Sequence, residues 1–334
     1  MAAAQASGDI DVLGIGNAIV DVLSHADDGF LDRCGLIKGS MRLIAADEAD
    51  LLYRAAGPAL EASGGSVANT VAGLAMLGAR AGFIGKVSND QFGGVFRHDI
   101  KSLGIHFDTL PANRGAPTAR CLVFVTPDGQ RTMCTYLGAC LELTEEDIDE
   151  ALVARAKITY LEGYLWDPPH AKLAFLKAAE TAHRAGRLVS LSLSDPFCVD
   201  RHRAELQQLV ENHIDILFAN EHEICSLWQV EDFDEALQAT RGKAQVAALT
   251  RSEKGSVVLA GDEVHIIDPV PVSRVVDSTG AGDQYAAGFL YGLVTGRSLA
   301  GCGRLASHAA AEVIQHLGGR PEVPLAEQVL ADFV

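Results

Sequence analysis

No Cys-x-x-Cys spacing occurs in this sequence, and its seven cysteines (Cys34, Cys121, Cys134, Cys140, Cys198, Cys225 and Cys302) are scattered and odd in number. That excludes a paired disulfide framework and a zinc pattern; small thiols in a reducing cytoplasm are the expectation. No stretch approaches the roughly 18 uninterrupted apolar residues of a membrane-spanning helix, so no membrane partner is expected. Met1 to Gly8 carry no cationic segment ahead of an apolar run, so no signal peptide is expected. Basic residues are scarce: 27 Lys and Arg stand against 44 Asp and Glu, a formal charge of −17. Such a surface repels phosphate backbones, which argues against a nucleic-acid partner. Any anionic ligand must therefore be held by a local site.

What is present suffices for a large core: 334 residues, 48% of them apolar. Length alone would permit two domains, but one α/β domain of this size is ordinary, and residues 1–334 read as one. Ile10 to Ile15 reads as a buried strand ending in Gly14 and Gly16. Arg80 to Val87, Lys157 to Leu161, Leu188 to Leu193, Ile214 to Phe218, Val246 to Thr250 and Ser256 to Leu259 read as further strands. Helical spacing runs through Val67 to Leu77, Phe92 to Leu103, Pro169 to Ala185, Arg203 to Glu211 and Phe233 to Arg241. Gly282 to Thr295 and Ser298 to His316 close the chain as two helices. Strands alternating with helices predict a mainly parallel sheet covered on both faces. Arg120 to Thr126 and Gln130 to Leu137 flank Pro127-Asp128-Gly129, a hairpin signal outside that rhythm.

Val276-Asp277-Ser278-Thr279-Gly280-Ala281-Gly282-Asp283 leads into a helix of small residues. Small residues at a helix start leave main-chain N–H groups unshielded, and the helix dipole adds positive charge there. That is an anion hole suited to a phosphoryl group in transit. A carboxylate beside it repels phosphate; it makes sense as the group that accepts a proton from an attacking hydroxyl. A lone Gly-x-Gly would read as well as a plain turn into a helix, with Asp283 favoured only by the dipole.

The eight residues resemble the second signature of the PfkB (ribokinase-like) family. Gly64-Gly65-Ser66-Val67-Ala68-Asn69-Thr70-Val71-Ala72-Gly73-Leu74-Ala75-Met76-Leu77-Gly78 resembles its first. Within the family the likeness is greatest to adenosine kinases, through Leu193-Ser194-Asp195-Pro196-Phe197, Asp215 to Glu221, and Ser307-His308-Ala309-Ala310. The resemblance implies a ribokinase-like α/β fold with a small β-sheet lid, expected from about 16–45 and 106–140. It implies ATP as donor, Mg2+, transfer to a primary hydroxyl of a nucleoside or sugar, and a place in purine salvage. It assigns Asp283 as catalytic base and Gly280, Ala281 and Gly282 as anion hole. Asp21, Asn17, Gly64, Gly65 and Asn69 fall at the acceptor, Asp21 holding sugar hydroxyls. Asn220 and Glu223 form the Asn-x-x-Glu motif that organises magnesium and phosphates, through water given magnesium's reluctance to dehydrate. Thr250, Gly255 and His308 fall on the nucleotide side, and Asp277 and Thr279 where many members bind potassium. The chain departs at Ser278, where the family has Thr, and at Ser252, where it has glycine.

Taken singly, Asp21 also reads as a turn cap, Asn69 as a bond to a neighbouring strand end, and Glu223 as a first-turn carboxylate. Arg120 reads either as a phosphate holder or as a solvated hairpin residue. Phe124, Tyr136, Tyr164 and Phe197 are the candidates for stacking on a purine, although strand aromatics are more often core. A sugar kinase of the same family stays open, as does a non-catalytic nucleotide-binding protein. Gly14-Ile15-Gly16 raises a dinucleotide fold, against which Ile19 stands at the third glycine position. An exposed lid sheet pairing across a two-fold axis would make a homodimer.

Overall fold

The computed structural model describes residues 10–323 and 325–326; the expectation for Met1 to Gly8 lies outside them. The main sheet holds β1 (Ile10–Ile15), β5 (Ala81–Ile84), β8 (Ala156–Glu162), β9 (Leu188–Ser192), β10 (Ile216–Asn220), β11 (Val246–Thr250), β12 (Ser256–Ala260) and β13 (Glu263–Ile267). Their spatial order is β13-β12-β11-β10-β9-β8-β1-β5. From β5 to β11 all pairings are parallel, and the β11–β12 and β12–β13 pairings are antiparallel. Leu13 and Ile15 enter one apolar core and Val12 the other, the two-residue alternation of a strand buried on both faces.

One core is shared with α5 (Glu150–Arg155), α6 (Pro169–Arg184), α7 (Pro196–His213), α8 (Glu221–Trp228) and α9 (Phe233–Thr240). The other is shared with α3 (Ser66–Met76), α4 (Gln91–Ser102), α10 (Ala281–Val294) and α11 (Leu299–Val313). The helix expected from Arg203 starts earlier, at Pro196, where Asp195 caps two N–H groups; non-helical torsions at His202 mark a kink between its halves.

The lid is a five-stranded sheet in the order β3-β7-β6-β2-β4. Its strands are β2 (Ile19–His25), β3 (Met41–Leu43), β4 (Ala59–Gly64), β6 (Ala119–Val125) and β7 (Arg131–Tyr136), with α1 (Asp28–Arg33) and α2 (Ala46–Ala55) beside them. Two boundaries differ from expectation. The strand Ala59–Gly64 belongs to the lid although its small and polar residues carry little strand signal. Residues 106–112 instead run beside the main sheet: His106 N–H donates to Ala81 O and Ala112 N–H to Val87 O.

The lid has two unlike faces. Val20, Val22, Leu122, Phe124 and Cys134 pack into the core against Leu31, Leu52 and Phe92. The inner face carries Ile19, Leu23, Cys121, Val123, Val125 and Met133, with Leu317 from the chain after α11 packed on them. Asp21 shares this inner face, since it pairs with Cys121.

Candidate active site

β1 has β5 on one side and β8 on the other. The strand order reverses there, and ligands in open α/β sheets bind outside the carboxyl ends at such a reversal. The ends of β1 and β8, the N-termini of α3 and α10, and the inner face of the lid meet at this crevice.

Asp283 lies in the first turn of α10. Its Oδ1 accepts from Ser66 Oγ at 2.6 Å, and its Oδ2 accepts from Asn69 Nδ2 at 3.1 Å. Thr70 Oγ1 donates to its main-chain oxygen at 3.1 Å, and Gln284 Nε2 donates to Asn69 O at 3.0 Å, so α3 and α10 are clamped at their tips. Burial pushes the Asp283 carboxyl up to about 6, although Ser66 and Asn69 pull it back; the Asp21 charge adds to the rise and Arg320 opposes it. A carboxylate poised there takes up and releases protons near neutrality. Gly280 caps α10 at φ +77°, and a Cβ there would lie 2.4 Å from Gly319 Cα, so only glycine fits. The expected anion hole is altered at one member: Ala281 N–H donates to Ser278 O at 3.2 Å. Among the described residues, the N–H groups of Gly280, Gly282 and Asp283 have no such bond.

Where the resemblance places the acceptor, Gly64 lets β4 pack against Asp21 of β2: a Cβ there would lie 2.3 Å from Asp21 Oδ2. Gly65, at φ +103°, begins α3 and passes over Asn17 O. Burial raises Asp21 to about 6, opposed by the charges of Arg320 and Arg131. Asn17 gives its Nδ2 to Glu162 Oε1 at 2.7 Å, while its own Oδ1 is buried without a partner. Such an orphaned oxygen has a use if a ligand hydroxyl donates to it. Glu162 also accepts from Val67 N–H at 3.1 Å, so one carboxylate ties β8 to the β1–β2 turn and to α3. Burial lifts it to about 7. A Cβ on Gly16 would lie 2.4 Å from Glu162 Oε2, so this glycine makes room for a side chain rather than for a pyrophosphate.

Where the resemblance places the nucleotide, Asn220 and Glu223 form a reciprocal cap at the start of α8: Glu223 N–H donates to Asn220 Oδ1 at 2.9 Å, and Asn220 Nδ2 donates to Glu223 Oε1 at 2.6 Å. Burial carries Glu223 to about 7. Thr250 ends β11 beside Asn220. The loop from Arg251 to Gly255 closes with Arg251 N–H donating to Gly255 O at 2.8 Å. Ser252 takes φ +52° there, the backbone a glycine would supply. His308 is half-buried on α11, which packs on β12 and β13. Asp277 accepts from Thr279 N–H and Oγ1 and from Gly318 N–H, and faces Arg131.

Arg120 is not at the crevice. It lies on the core face of β6, paired with Asp50 and set 5.1 Å over the Phe92 ring. Of the aromatics, Phe124 packs at a tilt against Phe30 in the core, Tyr136 lies on the Arg120 face, and Phe197 is exposed. Tyr164 alone among the four follows the end of β8; the residue is 39% exposed, while desolvation at its hydroxyl and the charges of Asp195, Glu162, Asp283 and Glu223 raise that group. Three residues were not anticipated: Glu162, Arg131 and Arg320. Only the Gly-x-Arg step of the hairpin turn, Gly129 to Arg131, hinted at one of them.

The chain from 40 to 326 matches the model of the pfkB family carbohydrate kinases. It is 25% identical to adenosine kinase 1 of Arabidopsis thaliana, over 96% of this chain and 99% of that protein. A crystal structure of adenosine kinase from Sinorhizobium meliloti superposes with a TM-score of 0.89 at 52% identity, covering 97% of this chain and all of the other. A probable sugar kinase from Rhizobium etli CFN 42 superposes equally, at 50% identity over 98% and 99% of the two chains. With both glycine-flanked signatures set around one carboxylate at the sheet's reversal point, this chain belongs to the pfkB family of carbohydrate kinases.

Proposed function

We propose that the protein transfers the γ-phosphoryl group of ATP to a primary hydroxyl of a small ribose-bearing acceptor, adenosine foremost. The observation that carries the acceptor choice is the inner face of the lid. Asp21, suited to sugar hydroxyls, is flanked by Ile19, Leu23, Cys121, Val123 and Met133, an apolar wall suited to a flat base. Leu317 already covers part of that wall, and Ile19, Leu23 and Met133 stay partly exposed beside Asp21, the area a base would cover and a free sugar would not.

Asp283 takes the proton of the acceptor hydroxyl as its oxygen forms a bond to the γ-phosphorus. The bond from that phosphorus to the β–γ bridging oxygen breaks, and ADP leaves with the electron pair. The N–H groups of Gly280, Gly282 and Asp283 face the charge that gathers on the phosphoryl oxygens. Magnesium fits the residues present: Glu223 offers one buried carboxylate already bonded to Asn220, and no group of three ligating side chains stands among the described residues. That donor set suits an ion held mainly by phosphates and its own waters, with Glu223 bonding the waters. When bound, Mg2+ would neutralise the β- and γ-phosphates. Phosphorylating adenosine would return it to the nucleotide pool, as purine salvage requires.

An ADP-release assay over adenosine, other nucleosides, ribose and fructose tests this reading, with adenosine expected to give the highest kcat/KM. Turnover of free sugars alone would overturn the nucleoside part. Asp283→Asn is expected to keep the fold and lower kcat by roughly 10²–10⁴; near-normal turnover would remove Asp283 from the chemistry. Met41, Leu43 and Leu60 are exposed on the lid's edge strands, and we extend the proposal to a homodimer through the lid. Light scattering should then return the mass of two chains; one chain's mass refutes it.

A further inference from the structure

The chain after α11 crosses back over the crevice and places Arg320 among three elements of the acceptor end. Its Nε donates to Asn69 Oδ1 at 3.2 Å, its Nη1 to Asp99 Oδ2 at 3.0 Å, and its Nη2 to Ser63 Oγ at 2.8 Å. Asp99, on α4, also accepts from Ser63 N–H at 2.8 Å, so the guanidinium is anchored on a fixed acceptor rather than on a mobile side chain. Asn69 passes the contact on, since its other amide atom donates to Asp283 Oδ2.

We infer that Arg320 is a positioning residue for Asp283, acting through the side-chain amide of Asn69. The inference rests on the phosphotransfer reading given above. An asparagine amide has a donor end and an acceptor end and can turn over between them. Guanidinium only donates and carboxylate only accepts, so Asn69 has one satisfied orientation between them. In that orientation Asp283 is held by two donors, Ser66 on one oxygen and Asn69 on the other. Each oxygen keeps a lone pair for the acceptor's proton. With Arg320 gone, the Asn69 amide is free to turn its oxygen toward Asp283. The carboxylate then loses a donor, gains a repulsive neighbour and swings off line.

The arrangement has room for no larger residue beside it. A Cβ on Gly319 would lie 2.7 Å from Asn69 Nδ2, and Gly319 O accepts from Gln284 Nε2 at 3.0 Å. The Gly318-Gly319-Arg320 stretch is thus threaded between the catalytic turn and α3.

The charge of Arg320 also reaches Asp283. The groups facing that carboxylate are Ser66, Asn69 and Thr70 on α3, Asp21 on β2, Tyr160 and Glu162 on β8, Tyr164 beyond it, and Arg320. Arg320 is the one cation among these, so its loss moves the acid limb of the rate profile to higher pH.

The test is a double-mutant cycle on Arg320→Met and Asn69→Ala, read as kcat, KM and pH profile with the best acceptor of the wild type. Arg320→Met is expected to lower kcat by roughly tenfold to a hundredfold, the effect of a misplaced reacting group. Its KM should stay near that of the wild type, and its acid limb should rise. The double variant should be no slower than Asn69→Ala, because both changes break one chain of contacts. Losses that multiply in the double variant, or an Arg320→Met protein with wild-type kcat and pH profile, overturn the inference. Circular dichroism checks the fold. If Arg320→Met does not fold, Arg320→Lys keeps the charge but not the three-way reach, and the same cycle with it decides the matter by kcat alone, a wild-type kcat or multiplying losses overturning the inference while the acid limb stays near that of the wild type. A wild type that phosphorylates no acceptor sinks the phosphotransfer reading and this inference together. An active wild type with an additive cycle sinks only the role of Arg320.

Discussion

Arg131, at the start of lid strand β7, sets its Nη1 2.5 Å from Oδ2 of Asp277, on the turn that leads into α10. The same nitrogen donates to Thr279 Oγ1 at 3.3 Å. Both side chains are only 9% exposed, and the pair joins lid to body at the point where the family resemblance implies potassium.

A guanidinium on Asp277 leaves a monovalent cation no bare carboxylate to bind. We therefore expect the wild-type rate to be the same in potassium chloride and choline chloride. Arg131→Met leaves Asp277 without its counter-charge but still bonded to Thr279 and Gly318, a loss of about 1–3 kcal/mol. Part of that loss should return in potassium but not in choline. Urea denaturation in the two salts checks it, and a variant as stable as wild type in both would show that the pair carries no stability.

The pH dependence of kcat/KM should show an acid limb near pH 6. On the proposed mechanism Asp283 works deprotonated, and burial holds its carboxyl at about 6. Asp21 sits at about 6 for the same reason, and its ionised form is the better acceptor for sugar hydroxyls. Two carboxyls titrating together should make the limb steeper than a one-proton curve. A flat profile from about pH 5 to about pH 8 would contradict both assignments.

Asp283 should cost stability where the proposed mechanism needs it ionised. Its carboxyl rises from an ordinary 3.8 to about 6 on folding. The folded state therefore binds the proton more tightly, and the favourable contribution is complete below about pH 4 and lost as pH rises through about 6. Asp283→Asn lacks this loss, so its stability relative to wild type should grow across that window, by at most about 3 kcal/mol. Urea unfolding of both proteins on either side of the window measures it; a constant difference would show that the carboxyl is not perturbed.

Ser252→Gly should stabilise the protein slightly. Ser252 holds φ +52° in the loop after β11. Left-handed backbone costs a side-chain-bearing residue about 1–2 kcal/mol, and glycine gives back roughly 0.4–1 in the unfolded chain, leaving a gain of about 0.5–1 kcal/mol. Thermal unfolding tests the sign; a loss of stability would mean that the serine hydroxyl holds the loop.

Elements with a strong local pattern were legible. β1 and β11 occupy the expected residues, Ile10–Ile15 and Val246–Thr250, because short, largely apolar runs rich in β-branched residues and bounded by turns have few other readings. β4 was not, since Ala59–Gly64 becomes a strand only by pairing with β2. The two hairpin arginines show the same division. Arg120 pairs across to Tyr136 and Arg131 to Val125, which places them on opposite faces of the lid. Until the register is known, either could face the crevice, because a shift of one residue exchanges the faces.

The sequence by itself determined the fold class and the place of the proposed chemistry. An acid one residue after a glycine-rich helix start is a local arrangement, and neighbours in the chain suffice to build it. Tertiary structure alone decided which charges meet that acid. Arg320 reaches Asn69 across 251 positions, Arg131 reaches Thr279 across 148, and Glu162 reaches Asn17 across 145. Hydrogen bonds and close ion pairs act over a few ångströms, so residues this distant in sequence acquire their partners only when the lid, the sheet and the chain after α11 have packed together.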